Sequence, residues 1–335
     1  MPVSDSKYNA KISAIGKFVP DTIYDNAYFE KIVDTNDEWI VTRTGIKERR
    51  ILVDGATSDL GAGAIKDMVE RFKIDLDTID VMIVATVTPD MFFPSTACVI
   101  MEKLGMKKTW GYDILAACSS FLFATSQARA FIESGNYKKV LVIGADKMSA
   151  ITDYTDRNTC ILFGDAGTAI LYERTEDKSD GILDETLYCD GSGGKYLYMS
   201  GGGSLNPSSH ETVDKKMHYI YQDGKAVFKV AVIGMADVAF ELMKRNNLLA
   251  DDVAFLVPHQ ANLRIIDATR DRMGVDNSKV MINIDKYGNT TAATIPLCLV
   301  DYYDMGKVKR GDNLILASFG AGYTWGGIYL KWSID

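Results

Sequence analysis

At 335 residues, with 47% hydrophobic and 24% charged side chains, the chain has the make-up of an ordinary globular protein of one large or two medium domains. A net charge of −8 argues against a general nucleic-acid binder, and five cysteines without a CxxC pair argue against a disulfide framework or a zinc site. Met1-Pro2-Val3-Ser4-Asp5-Ser6-Lys7 lacks the basic and apolar regions of a signal peptide, and no apolar run reaches the roughly 18 residues that span a bilayer; a reduced, cytoplasmic protein without membrane contact is expected.

Short β-branched runs alternate with helical stretches from end to end, the pattern of an α/β fold. Residues 80–85 read as a buried strand. In Asp113-Ile114-Leu115-Ala116-Ala117-Cys118-Ser119-Ser120 an apolar run meets small residues and a long apolar segment, so a strand ends, a helix starts, and a thiol sits at the turn. The unpaired N–H groups and partial positive charge of a helix start favour thiolate, which makes Cys118 a candidate nucleophile. The bland reading is a small buried apolar cysteine, and Cys98, Cys160, Cys189 and Cys298 are assigned to packing. The helix from 118 to 134 is apolar on most faces and is expected in the interior.

Residues 139–144 read as another buried strand, followed by a Gly-rich turn into a final strand at 164–171. Residues 190–224, rich in Gly, Ser, Asn and Asp, read as an excursion loop in which His210 and His218 are solvated. Its glycine runs at 191–195 and 201–204 fit no phosphate-loop pattern. A long helix follows over 225–246, then a buried strand at 252–257. His259 interrupts the apolar run after it and has to find a partner or lose desolvation free energy. Asn289, flanked by Gly288 and small residues, reads as a turn residue or as a polar member of a site. A strand at 313–318 and a Gly-rich turn into a last strand close the chain.

The second half echoes the first. Positions 81 and 140 lie 59 apart and positions 253 and 314 lie 61 apart, which suggests an internal duplication. The division falls at residues 1–175, carrying Cys118, and 176–335, carrying His259 and Asn289. Cysteine, histidine and asparagine together suggest acyl chemistry on a thiol.

These residues carry a resemblance. Asp37-Glu38-Trp39-Ile40-Val41-Thr42-Arg43-Thr44-Gly45-Ile46, Ala116-Ala117-Cys118-Ser119, and Asp156-Arg157 ahead of Phe163-Gly164-Asp165 are similar to blocks of the β-ketoacyl-acyl carrier protein synthase III family. Pro258-His259-Gln260-Ala261-Asn262, Tyr287-Gly288-Asn289-Thr290 and the stretch 318–326 continue the match in the family's order over nearly the whole chain. The resemblance implies a thiolase-like α/β fold, with duplicated βαβαβαββ halves in a five-layered αβαβα sandwich, and a homodimer. It implies a decarboxylative Claisen condensation of an acyl-CoA primer, typically acetyl-CoA, with malonyl-acyl carrier protein. Both are substrates, and no cofactor or metal is expected.

By the same resemblance Cys118 carries the acyl group, the backbone N–H groups of Cys118 and Ala321 form the oxyanion hole, and His259 and Asn289 donate to the enolate oxygen. Trp39 and Arg157 resemble positions that hold the CoA adenine, and Arg43 one that meets its phosphates. Phe93 resembles a residue entering the partner subunit's acyl pocket; Phe228 and Phe319 resemble acyl-pocket positions. Lys229, Arg264, Arg270 and Arg272 would receive the acidic acyl carrier protein. Asn289, where chain-elongating relatives place a second histidine, favours a CoA-primed initiating enzyme. A cysteine-free stretch at 317–320 disfavours reversible thiolysis. Asp271, Lys225 and Ala321 depart from the common family pattern. The rivals are a specialised condensing enzyme of secondary metabolism, a cysteine acyl-CoA hydrolase, and a non-catalytic CoA-binding module.

Overall fold

The computed structural model describes residues 6–335; Met1 to Asp5, part of the stretch read as having no signal peptide, lie outside the described residues. Two sheets carry the fold. The first runs, in spatial order, Asn9–Phe18, Ala166–Thr175, Lys139–Asp146, Val81–Ala85 and Trp110–Ile114. The second runs Gly181–Cys189, Thr324–Lys331, Asn313–Gly320 and Phe255–Pro258. It repeats the winding of the first, its fifth strand reduced to one parallel bridge between Leu256 and Val280.

Strand periodicity explains the layers. Along Val81–Ala85, Val81, Ile83 and Ala85 enter a central core with Phe121, Leu122 and Ile295, whereas Met82 and Val84 enter an outer core with Leu60 and Ile65. In the second sheet Leu314 and Leu316 face the centre, and Ile315 and Ala317 face outward against Ala239 and Leu242. Helices Ser120–Glu133 and Thr294–Asp304 fill the middle layer. Thr57–Phe72 and Thr96–Leu104 cover one outer face, and Gly224–Arg245 and Leu263–Met273 cover the other. Each fully buried Leu, Ile or Phe contributes about 1.5–3 kcal/mol, so the central core, facing two sheets at once, is the largest source of cohesion. The first outer helix lies backbone to backbone on its sheet. A Cβ added at Gly167 would stand 2.2 Å from Leu60 O, so any side chain there would lift the helix away.

The duplication is tighter than the sequence suggested. Val81 pairs with Val140 and Phe255 with Leu314, so both pairs span 59 positions, and the second lies 174 residues after the first (255 − 81 and 314 − 140). The expected strand at 252–257 starts at Phe255. Val253 is apolar because it is buried, not because it belongs to the ladder. Residues 190–224 are folded rather than open loop. They hold a turn at Gly191–Lys195, the paired strands Leu197–Tyr198 and Tyr221–Gln222, and the helix His210–Asp214. Cys98 and Cys189 are exposed, which corrects their assignment to packing; Cys160 and Cys298 are buried.

Candidate active site

A cavity of about 1010 Å³ opens between the two halves, and its lining brings Cys118, His259 and Asn289 together. Leu197, Tyr198 and Met199 of the excursion segment close it from above, and Phe228, Phe319 and Ala321 form part of its wall.

Cys118 stands on an elbow. Ala117 has φ +49°, a left-handed conformation uncommon for a residue with a Cβ. The chain then makes one 3-10 turn, Ala117–Ser119, before the helix Ser120–Glu133. Ser120 Oγ donates to Ala117 O at 2.5 Å, and Ser318 Oγ, from the other half, donates to Cys118 O at 2.9 Å. Gly320 passes so close that a Cβ would lie 2.7 Å from Cys118 N. The expectation that the helix start would favour thiolate is corrected here. Burial, followed by the charge of Asp146, pushes the thiol up to about 12, and the cysteine's own N–H only partly opposes this. The resting group is a thiol.

His259 follows the strand Phe255–Pro258 and is tied to the neighbouring strand Asn313–Gly320 by its N–H donating to Ala317 O at 2.8 Å. The residue is 2% exposed, and its ring Nδ1 lies 2.7 Å from Thr294 Oγ1. Burial lowers its pKa to about 3, so the ring is neutral. Asn289 is oriented by its own chain. Its Oδ1 accepts the Thr291 N–H at 2.9 Å, which leaves the amide N–H₂ as a donor on the cavity side.

Trp39 and Arg43 line one end of the cavity, on the helix Asp37–Thr44 capped by Asn36 Oδ1. The guanidinium carbons of Arg43 and Arg157 lie 4.9 and 4.8 Å from the Trp39 ring. Asn262 Nδ2 donates to Arg43 O at 2.9 Å and so joins this end to the His259 loop. Phe93 is not in the cavity; it is 85% exposed, beside Phe92 at 78%. The four basic residues do not form one patch of equals. Arg264 lies on the cavity rim over the Phe228 ring, and Lys229 lines a smaller neighbouring hollow. Arg270 is clamped by Asp267 and Asp271, and Arg272 pairs with Asp237.

Three residues near the chemistry escaped sequence reasoning. Asp146 is buried and accepts from six donors, which include Thr86, Val87 and Thr88 on one side and Thr291 and Ala292 on the other. Burial raises its pKa against those bonds. A charged residue ending the apolar run Leu141-Val142-Ile143-Gly144-Ala145 was the one available signal. Thr294 and Gly320 gave none, since each matters through a contact with a distant part of the chain.

Two sequence profiles match the chain: 3-oxoacyl-[acyl-carrier-protein] synthase III over residues 112–191, and the C-terminal region of the same synthase over residues 243–332. The β-ketoacyl-[acyl-carrier-protein] synthase III of Chlorobium chlorochromatii is 58% identical over 326 residues, covering 96% of this chain and 99% of the relative. That of Porphyromonas gingivalis is 50% identical, covering 98% of each. The crystal structure of 3-oxoacyl-[acyl-carrier-protein] synthase III from Aquifex aeolicus superposes with a TM-score of 0.89 at 41% identity, over 96% of this chain and 100% of that one. With the thiolase-like sandwich, this places the chain in the β-ketoacyl-[acyl-carrier-protein] synthase III family.

Proposed function

We propose that the chain condenses an acyl-CoA primer, with acetyl-CoA the favoured one, with malonyl-acyl carrier protein to give 3-oxoacyl-acyl carrier protein, the step that starts fatty-acid synthesis. The observation that carries this reading is the convergence of a thiol with two nitrogen donors, His259 and Asn289, in one cavity. In the first half-reaction Cys118 sulfur bonds to the primer's carbonyl carbon, CoA sulfur leaves, and the cysteine proton passes to the departing thiolate. The N–H groups of Cys118 and Ala321 hold the tetrahedral oxyanion. In the second, the malonyl thioester loses CO₂ and its bonding pair becomes an enolate, whose oxygen is met by His259 and Asn289. The enolate carbon then attacks the acyl-cysteine, the C–S bond breaks, and the departing Cys118 thiolate takes up a proton from solvent to restore the thiol. A neutral His259 suits this step, because a neutral donor stabilises the developing charge and leaves no cation behind.

Cys118→Ala is expected to show no mass increase with acetyl-CoA and no condensation. His259→Ala and Asn289→Ala are expected to acylate but to lose malonyl-acyl carrier protein decarboxylation by about 10²–10³-fold each. Release of free acid from acyl-CoA by the unmodified protein, without a malonyl partner, would favour the hydrolase reading instead.

Trp39, Arg43 and Arg157 would hold the CoA nucleotide, and Arg264 with Lys229 would receive the carrier protein. Arg270 is already neutralised by two carboxylates. Arg264→Gln is therefore expected to raise KM for malonyl-acyl carrier protein several-fold, the scale of one charge contact, and Arg270→Gln to leave it within about twofold. The exposure of Phe92 and Phe93 supports a homodimer in which the partner copy covers them. A cytoplasmic setting accords with the substrates, and no helix among the described residues is long and apolar enough to cross a membrane.

A further inference from the structure

The two halves set the same hydroxyl at the same point of each elbow. Ser120 and Thr294, 174 residues apart (294 − 120), each open a central helix. Each has its N–H on the carbonyl three residues back, Ala117 O or Thr291 O, so that carbonyl already has a partner. Ser120 Oγ also donates to Ala117 O, at 2.5 Å. Thr294 Oγ1 stands farther from Thr291 O, at 3.0 Å. What differs is the residue across the layer. The counterpart of His259, 174 residues earlier (259 − 174), is Ala85, which offers Ser120 no ring nitrogen. In the second half the imidazole Nδ1 lies 2.7 Å from Thr294 Oγ1, nearer than the carbonyl does.

A threonine hydroxyl has one proton to donate. Thr291 O lies within reach at 3.0 Å, but the ring contact at 2.7 Å is the shorter of the two, and it points that proton to the ring. We propose that Thr294 is a positioning residue that donates to Nδ1 of His259 and so holds the ring's own proton on Nε2, on the cavity side beside the Asn289 amide.

The consequence is electrostatic. A neutral imidazole has a single N–H, so its two tautomers present opposite faces to an anion. With the proton on Nε2, His259 and Asn289 offer two N–H donors to the enolate oxygen. With the proton on Nδ1, the ring would turn a lone pair toward that oxygen, and a donor would become a repulsive neighbour. Burial excludes the imidazolium that could donate from both nitrogens, so the choice of tautomer decides the step. No bond at Thr294 is made or broken; it acts through the ring. This inference rests on the proposed condensation.

The chain has three histidines, so protein labelled with ¹⁵N-histidine gives three ring systems, and the set that disappears in His259→Gln belongs to His259. Long-range ¹H–¹⁵N correlation on the unmodified protein is expected to find the His259 proton on Nε2; finding it on Nδ1 overturns the proposal. Thr294→Val is expected to lower malonyl-acyl carrier protein decarboxylation about 10- to 100-fold, part of the loss from deleting an oxyanion donor, with Cys118 acylation within about twofold. Thr294→Ser is expected to restore both rate and tautomer. Equal loss of both half-reactions in Thr294→Val, or failure of Thr294→Ser to recover decarboxylation, also overturns it. Should the valine variant fail to fold, the spectra of the unmodified protein and of Thr294→Ser still decide. An Nε2 proton in a protein that does not turn over malonyl-acyl carrier protein would uphold the tautomer and sink the condensation reading.

Discussion

Ala117-Cys118-Ser119 and Thr291-Ala292-Ala293 are one elbow built twice. Ala117 and Thr291 share a left-handed φ, +49° and +51°, and each elbow makes a 3-10 turn into a central helix. Each is also finished by a strand of the opposite half. At the second elbow Asp146, the last residue of its strand, accepts the Ala292 N–H at 3.2 Å and the Thr291 hydroxyl. At the first, the corresponding strand ends in Gly320, which has no side chain to offer Cys118 N–H. The cysteine elbow carries a thiol and lacks the carboxylate that its silent counterpart meets. A backbone N–H becomes available for catalysis when the fold withholds its usual partner.

The sharpest way to break this comparison is to fill the gap. Gly320→Ala puts a Cβ 2.7 Å from Cys118 N and 3.1 Å from Ser119 N, contacts that force the elbow to shift. Acylation of Cys118 by acetyl-CoA is expected to fall by at least about 10²-fold, the scale of one lost oxyanion donor, with CoA affinity little changed. An unaltered acylation burst would show that the N–H plays no part. Altering the silent elbow should cost stability instead. Asp146→Asn turns an acceptor into a donor facing the Ala292 N–H, and a loss of about 1–3 kcal/mol is expected in urea unfolding. Because the Asp146 charge helps hold the Cys118 proton on, the same variant should move thiol alkylation to lower pH. An upward shift would contradict that cause. The smallest effect sharpens the comparison most. Ala292→Cys in a Cys118→Ala background places a thiol on the second elbow, where Asp146 occupies the N–H. No acetyl adduct is expected by mass spectrometry, and a stable adduct would mean that elbow geometry alone suffices.

Much of this was legible in the chain. Apolar runs at 80–85 and 313–318 and the apolar segment after Cys118 gave strands and an interior helix. Cys118, His259 and Asn289 stood out in apolar settings, and the layered sandwich came with the family resemblance. What stayed hidden was non-local. Nothing beside Gly320 says that its missing side chain matters to a residue 202 positions earlier (320 − 118), or that Thr294 meets a ring 35 positions away. The thiolate expectation failed for the same reason. A helix start is a local feature, whereas burial and the Asp146 charge come from the assembled fold. The four basic residues looked alike in sequence, and only their ion pairs separate Arg264 from Arg270.

The crossed bracing of the elbows also bears on the order in which the chain is made. The Cys118 carbonyl is held by Ser318, and the elbow that orients Asn289 is held by Asp146, so each half braces the elbow of the other. A chain growing from its N-terminus presents its cysteine long before the residues that brace and surround it exist. Until the strand Asn313–Gly320 exists, Ser318 cannot hold the Cys118 carbonyl and Gly320 cannot close on the elbow. Acylation of the cysteine is therefore expected to await the second half of the chain, so that the order of synthesis itself guards the thiol.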